Sequence, residues 1–197
     1  MRRLSRFVGL GTRILLSNFR RSPLPFKLTF ILTYRCDCRC QMCNIWKRKV
    51  ENEMTADEVA KFFAENRGFS WVNLSGGEIF TRRDLQDIAE SVIRSNKDLY
   101  LLDFPTTGQQ TEKIVSGVEQ ILAKDPPRLL VTCSLDGAGK KHDEVRRRKD
   151  AVRSYAPRRR RRTRTTTSKR GELLLLLLLS PRSSWTGTTG TQPLSQG

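Results

Sequence analysis

The chain has 197 residues and a formal net charge of +17, from 37 Lys and Arg against 20 Asp and Glu. That length holds one sizeable core, so a single domain with appendages is the expectation. Such a balance raises nucleic acid or an anionic membrane as a partner, but Ala151–Gly197 alone carries nine Arg and one Lys against Glu172, which is +9 of the total. The charge therefore describes a tail more than a binding face, and no specific nucleic-acid partner is expected. No run of about 18 apolar residues occurs, which argues against a transmembrane segment.

In chain order, residues 1–22 mix Arg2, Arg3, Arg6, Arg13, Arg20 and Arg21 with Phe7, Val8, Leu10, Ile14, Leu15, Leu16 and Phe19. This is a basic amphipathic helix, of a kind that lies on a membrane surface or covers part of its own domain. The second role is favoured here. Ser22-Pro23-Leu24-Pro25 breaks it. Phe26–Thr33 is short, apolar and poor in charge, as in a strand covered on both faces. Thr55-Ala56-Asp57-Glu58 reads as a capping box opening a helix with Val59, Phe62 and Phe63 on its apolar side, and Gly68 ends it. Strand and helix signals then alternate. Phe69–Leu74 precedes a helix using Leu85, Ile88, Ala89, Val92 and Ile93. Leu99–Phe104 precedes Thr111–Lys124, and Arg128–Ser134 runs into Leu135-Asp136-Gly137. Four β-then-α units predict a parallel sheet with right-handed crossovers, and its ligand site belongs at the carboxyl ends of the strands. Trp71, Phe62, Phe63 and Cys133 are read as core residues, and His142 as a surface or helix-start residue.

The alternation stops near Asp150. Residues 151–197 have no Asp, Ile or Phe and run through Arg158–Arg162, Thr165–Thr167 and Leu173–Leu179. Low complexity of this kind predicts a disordered tail, and the abrupt change reads as a frameshifted or truncated ending. The expected organisation is thus a leading helix over 1–22, a core over 23–150 and the tail.

Four of the five cysteines lie in Cys36-Asp37-Cys38-Arg39-Cys40-Gln41-Met42-Cys43, at the end of the first strand. Cys36, Cys40 and Cys43 are separated by three residues and then two, which lets one tight loop aim three thiolates at one centre. Thiolates suit iron–sulfur clusters or zinc. Clustered cysteines without an export signal point to a reducing, cytoplasmic setting rather than to a disulfide framework. Gly76-Gly77-Glu78 ends the second strand, one unit later.

The cysteine spacing with that Gly-Gly-Glu turn resembles the radical S-adenosylmethionine (radical SAM) enzymes, as does Ser134-Leu135-Asp136-Gly137 followed by His142-Asp143-Glu144-Val145-Arg146. The resemblance covers roughly residues 26–150. It implies an α/β fold, the first four units of a partial (β/α)6 barrel. It also implies a [4Fe-4S] cluster on Cys36, Cys40 and Cys43, with S-adenosylmethionine (SAM) on the open iron. Reductive cleavage of SAM would then give a 5′-deoxyadenosyl radical that takes hydrogen from an unknown substrate, a peptide or a small molecule. A reductant such as flavodoxin or ferredoxin would supply the electron. By the same resemblance Gly76, Gly77 and Glu78 face SAM, Ser134 and Asp136 are candidates for its ribose or methionyl part, and Arg146 for its carboxylate. Met42 stands where the family usually has an aromatic residue near the adenine, and Thr107 where an Asn is common. Cys38 is read as a non-ligand. No side chain is assigned as catalytic.

Three rival readings predict different behaviour. A structural zinc site needs a second ligand pair, for which only Cys133 and His142 remain, and it leaves the Gly-Gly-Glu turn unexplained. A basic nucleic-acid or membrane binder has no need of the cysteines and shows steep salt dependence. A truncated family member binds a cluster without turning over a substrate.

Overall fold

The computed structural model describes residues 2–19, 25–137, 140–151 and, by backbone, 173–179. A leading helix, α1 (Arg2–Ser17), precedes strands β1 (Lys27–Thr33), β2 (Trp71–Gly76), β3 (Leu101–Thr106) and β4 (Leu129–Leu135). Helices α2 (Ala56–Glu65), α3 (Leu85–Ser95) and α4 (Thr111–Leu122) link successive strands, and α5 (Lys140–Arg146) follows β4. All strand pairs are parallel and lie in chain order. The expected strands and the helices between them are present with ends displaced by a few residues, and the leading helix, expected over 1–22, ends at Ser17.

One expectation is corrected. Leu173–Leu179, assigned above to a disordered tail, forms a fifth strand, β5, parallel to β4 from Leu129↔Leu173 to Leu135↔Leu179. An apolar run of this length satisfies its backbone by pairing with the open edge of a parallel sheet, and isolated sequence reading cannot see that edge. The rest of the tail, including Arg158–Arg162 and Thr165–Thr167, lies outside the described residues.

The core sits between one face of the sheet and the helices. Val72, Leu74, Leu102, Phe104, Leu129 and Val131 point into it, meeting Val59, Phe63, Leu85, Ile88, Val92, Val118 and Ile121 from α2, α3 and α4. Phe30, Phe62 and Phe63 pack with centroids 5.2–5.5 Å apart. The α2 capping box is present in both directions, Thr55 Oγ1 accepting from the Glu58 amide and Glu58 accepting from the Thr55 amide. Gly68 has φ +96°, the left-handed conformation that lets the chain leave α2 for β2.

The period of two sends alternate residues to the other, concave face: Thr29, Asn73, Asp103 and Thr132 among them. Trp71 belongs there rather than in the core. Lys27 Nζ lies 3.8 Å over its ring, and its indole N–H donates to Asp103. Asn73 donates to the second Asp103 oxygen.

Candidate functional site

At the carboxyl end of β1 the chain turns into residues 34–54, and several ties fix this loop over the sheet. Glu53 Oε1 accepts from Thr33 Oγ1 at 2.6 Å and from the Tyr34 amide at 2.9 Å. Arg82 donates to the Leu32 and Met54 carbonyls, both at 2.9 Å, while its guanidinium is held by Asp84. Trp46, in a short 3-10 turn over Ile45–Lys47, donates to the Cys40 carbonyl at 3.3 Å.

The end of β2 docks under this loop. The Gly77 amide donates to the Thr33 carbonyl and the Glu78 amide to the Arg35 carbonyl, each at 2.8 Å. A Cβ on Gly76 would lie 2.3 Å from the Thr33 carbonyl oxygen, and one on Gly77 2.2 Å from that of Arg35 and 2.9 Å from Cys36 Cβ. The glycine pair is required by contact between two stretches of this chain. That contact presses the Gly-Gly-Glu turn against the first cysteine.

Glu78 is fully buried. Its Oε2 accepts from Thr106 Oγ1 at 2.8 Å and from the Thr107 amide at 2.7 Å, with Thr107 Oγ1 also at 2.7 Å; Oε1 accepts from the Phe80 amide at 3.2 Å. Burial raises its carboxyl above the ordinary range, and the Thr107 and Thr106 donors oppose that. The side chain thus joins the ends of β2 and β3 from inside. Thr107 Oγ1 also lies 2.9 Å from Asp37 Oδ1, and Gln110 Nε2 donates to Asp37 Oδ2 at 3.2 Å. A polar chain therefore runs from Glu78 through Thr107 to the cysteine loop.

The fourth unit closes the loop from the other side. The Arg39 amide donates to the Arg146 carbonyl at 3.1 Å, the Gln41 amide to Val145 at 3.0 Å, and Gln41 Nε2 to Glu144 at 3.0 Å. These carbonyls lie in the last turn of α5, where Val145 and Arg146 have no intrahelical donor, so the cysteine loop caps the helix. Arg148 donates to the Asp37 carbonyl at 2.6 Å. Arg146 bridges Asp136 Oδ2, at 2.5 Å from Nε, and Cys40 Sγ, at 3.4 Å from Nη1. Among the linked residues, sequence reading singled out Arg146 and Asp136 but missed Asp37, Gln110 and Arg148. The only advance signal for that set was the polar Thr106-Thr107-Gly108 turn.

The cysteines differ in environment. Cys40 is buried, with its thiol pulled down to about 6 by a hydrogen bond from Cys38 and then by Arg146. Cys38, also buried, is pushed upward by that same pairing and by burial. Cys36 is half-buried and pushed up to about 11, chiefly by burial. Cys43 is half-buried, and its amide donates to the Cys40 carbonyl at 3.3 Å. Among the described residues no three His, Cys, Asp or Glu side chains converge as they would on a single metal ion. The loop brings the three predicted cysteines to one end of the sheet, with Cys38 tucked between them against Cys40.

The other predicted positions are distributed around this loop. Met42 lies on the open rim, 65% exposed. Ser134 is half-buried near the end of β4. Asp136 is engaged by Arg146, and its amide donates to His142 Nδ1 at 3.2 Å. His142 lies in the first turn of α5, one of its two expected places, but is fully buried rather than on the surface, and its ring accepts from the turn after β4. Cys133 is half-buried, at the Thr106↔Cys133 pair of β3 and β4.

No family model matches the sequence, and no curated protein does. Solved structures do. Streptococcus suis SuiB bound to S-adenosylmethionine aligns with TM-score 0.50 and 24% identity, over 62% of this chain and 28% of SuiB. SuiB bound to its precursor peptide SuiA aligns with TM-score 0.52 and 19% identity, over 72% of this chain and 30% of SuiB. SuiB is a radical SAM enzyme. The fold is similar to that of this radical SAM enzyme. The chain spans less than a third of SuiB's length, and the likeness speaks to architecture. In radical SAM terms the cysteine loop, the Gly-Gly-Glu turn and the β4–α5 connection occupy one end of a partial barrel. Among the described residues, no helix is long and apolar enough to cross a membrane.

Proposed function

We propose that this chain is a radical SAM protein that holds a [4Fe-4S] cluster on Cys36, Cys40 and Cys43 and binds SAM beside it. The observation that carries the reading is the double docking of the cysteine loop. Gly76-Gly77-Glu78 is pressed beneath it, and the end of α5 bonds to it from the side. Packing alone gives no reason to hold a cysteine-rich loop this firmly at the ligand end of a parallel sheet. The donor set suits a cluster better than zinc: three thiols share one loop and leave one iron open, whereas a closed zinc site takes four ligands.

When bound, the cluster supplies the electron that cleaves SAM to a 5′-deoxyadenosyl radical, which abstracts hydrogen from a substrate. The residues of this chain do the holding. Arg146 stabilises the Cys40 thiolate, since a guanidinium beside a sulfur favours its ionised form. Glu78 keeps the β2 and β3 ends in register, so that the backbone of Gly76 and Gly77 presents a fixed surface to SAM. Asp136 aims Arg146, and Ser134 lines the same end of β4. Met42, on the exposed rim, is placed to cover an adenine by apolar contact. The concave face, with Thr29, Asn73 and Thr132, is the substrate side. A peptide is the favoured substrate class, because a neighbour of the same fold was solved with a precursor peptide. A flavodoxin- or ferredoxin-type reductant completes the system, in a reducing compartment.

The test is 5′-deoxyadenosine formation from SAM after anaerobic iron–sulfide reconstitution, with Cys40→Ala as control. Cysteine-dependent product is expected. Iron and sulfide bound without product would support the cluster-only reading of a chain that spans 28% of SuiB. Zinc retained and no cluster formed would sink the proposal.

A further inference from the structure

Helix α1 rests on the amino-terminal end of the sheet, opposite the cysteine loop. Leu10 is buried there, and Phe7 packs on Tyr100 with centroids 5.6 Å apart. Arg13 donates to the Gly68 carbonyl, to Ser70 Oγ at 3.2 Å and to Asp98 at 3.0 Å. These contacts use only one side of the helix. At 100° per residue, Leu4, Val8 and Leu15 fall within one narrow arc on the side away from Leu10 and Arg13, and Phe19 follows in the turn after the helix. They are 68%, 56%, 61% and 77% exposed. The helix thus docks through its flank and turns a continuous apolar stripe outward, which a helix serving only to cover its own domain would bury.

The charge of this segment has one sign, and at 100° per residue Arg2, Arg6 and Arg13 fall on the helix face opposite the stripe. The first 36 residues hold no Asp or Glu, while Arg2, Arg3, Arg6, Arg13, Arg20 and Arg21 all lie within them. The loops on which α1 rests add exposed Arg67 and Lys97, beside Gly68 and Asp98, and half-buried Arg128, whose guanidinium stacks 4.9 Å over the Tyr100 ring. The acidic groups at this end include Asp98, paired with Arg13, Asp125 and exposed Glu65 at the end of α2.

An outward apolar stripe on a helix whose other face is cationic is the pattern of a helix lying in an anionic bilayer interface, acyl chains beneath phosphates. We infer that α1 and the amino-terminal end of the sheet dock on an anionic lipid surface, Leu4, Val8, Leu15 and Phe19 entering the interface and the cations of the helix's other face and of the adjoining loops drawn to lipid phosphates. In that orientation the cysteine loop, at the opposite end of the strands, faces away from the lipid. This inference does not depend on the proposed chemistry and reads out separately from it.

The experiment is co-sedimentation of the full chain with vesicles of phosphatidylcholine alone and of phosphatidylcholine with phosphatidylglycerol, at low and raised salt. Val8→Ser with Leu15→Ser keeps the net charge and alters two exposed side chains, and a circular dichroism melt checks that the fold persists. Wild type should bind the anionic vesicles, more weakly at raised salt, and the double variant should bind them at least about tenfold more weakly. The same comparison in a chain with Arg158–Arg162 changed to Ser removes the contribution of the tail, and the difference should remain. Equal binding of wild type and double variant would overturn the inference, as would equal wild-type binding to neutral and anionic vesicles. So would wild-type self-association in light scattering that the double variant abolishes without any vesicle binding, which would make the occupant of the stripe a second copy.

Discussion

The docking of the Gly-Gly-Glu turn makes Gly77→Ala the sharpest test of how the cysteine loop is held. An added Cβ would lie 2.2 Å from the Arg35 carbonyl oxygen, and that backbone would have to retreat by about 1.2 Å to reach an ordinary 3.4 Å contact. Two hydrogen bonds, Gly77 to Thr33 and Glu78 to Arg35, now at 2.8 Å, would be stretched beyond useful length by such a movement. Their loss at about 0.5–1.5 kcal/mol each, with an overpacking cost of about 1–3 kcal/mol, gives a destabilisation of roughly 2–6 kcal/mol. For a domain of this size that lowers Tm by roughly 4–24 °C. Because Cys36 Cβ is 2.9 Å from the same point, iron and sulfide incorporation should fall as well. Thermal unfolding and iron–sulfide content after reconstitution measure the two effects. Gly9→Ala is the control, with nothing within 4 Å of its added Cβ in α1, and it should raise stability by up to about 1 kcal/mol. A Gly77→Ala protein with unchanged Tm and full iron content would refute the account of the turn.

Further outcomes follow from the same geometry. Glu78→Ala leaves the Thr107 and Phe80 amides without their buried acceptor and should cost about 3 kcal/mol or more in urea unfolding, with Glu78→Gln intermediate because an amide presents only one acceptor oxygen. Arg146→Ala removes the guanidinium from Cys40 and Asp136. Thiol alkylation at Cys40 should then shift to higher pH, and Arg146→Lys should restore part of the shift. Burial, reinforced by Arg146, holds His142 below its ordinary value of 6.5. A depressed base binds its proton less readily when folded than when unfolded. Stability is therefore full above 6.5 and is lost as pH falls through that value toward the lower folded one. Urea midpoints across this window should show the loss in wild type and a flatter profile in His142→Asn.

The succession of strands and helices was readable because it rests on local rules. The Thr55–Glu58 capping box lies within four residues, the apolar face of α3 repeats at the helical period, and Gly68 sits where a left-handed residue is required. The clustering of cysteines at a strand end was equally local. Where reading failed, the partner was remote. Trp71 looked like core, yet its indole is turned to Asp103, 32 residues away. His142 looked like surface, and the packing of α5 buries it. The leucine run looked like a tail, and the open edge of β4 makes it a strand.

By itself, then, the order of residues determined four β/α units, a cysteine loop at the end of the first and a glycine turn at the end of the second. Spacing and periodicity act over a few residues and need no knowledge of the rest of the chain. Tertiary structure decided what those parts touch. It brought Arg146 to Cys40 across 106 residues and Thr107 to Asp37 across 70, and it laid α1 flank-down on the far end of the sheet. It also filled the space beside Gly77 with the backbone of Arg35. The physical reason is that such contacts are chosen by the packing of whole elements. A parallel sheet gathers the ends of its strands into one place, whatever their separation in the chain.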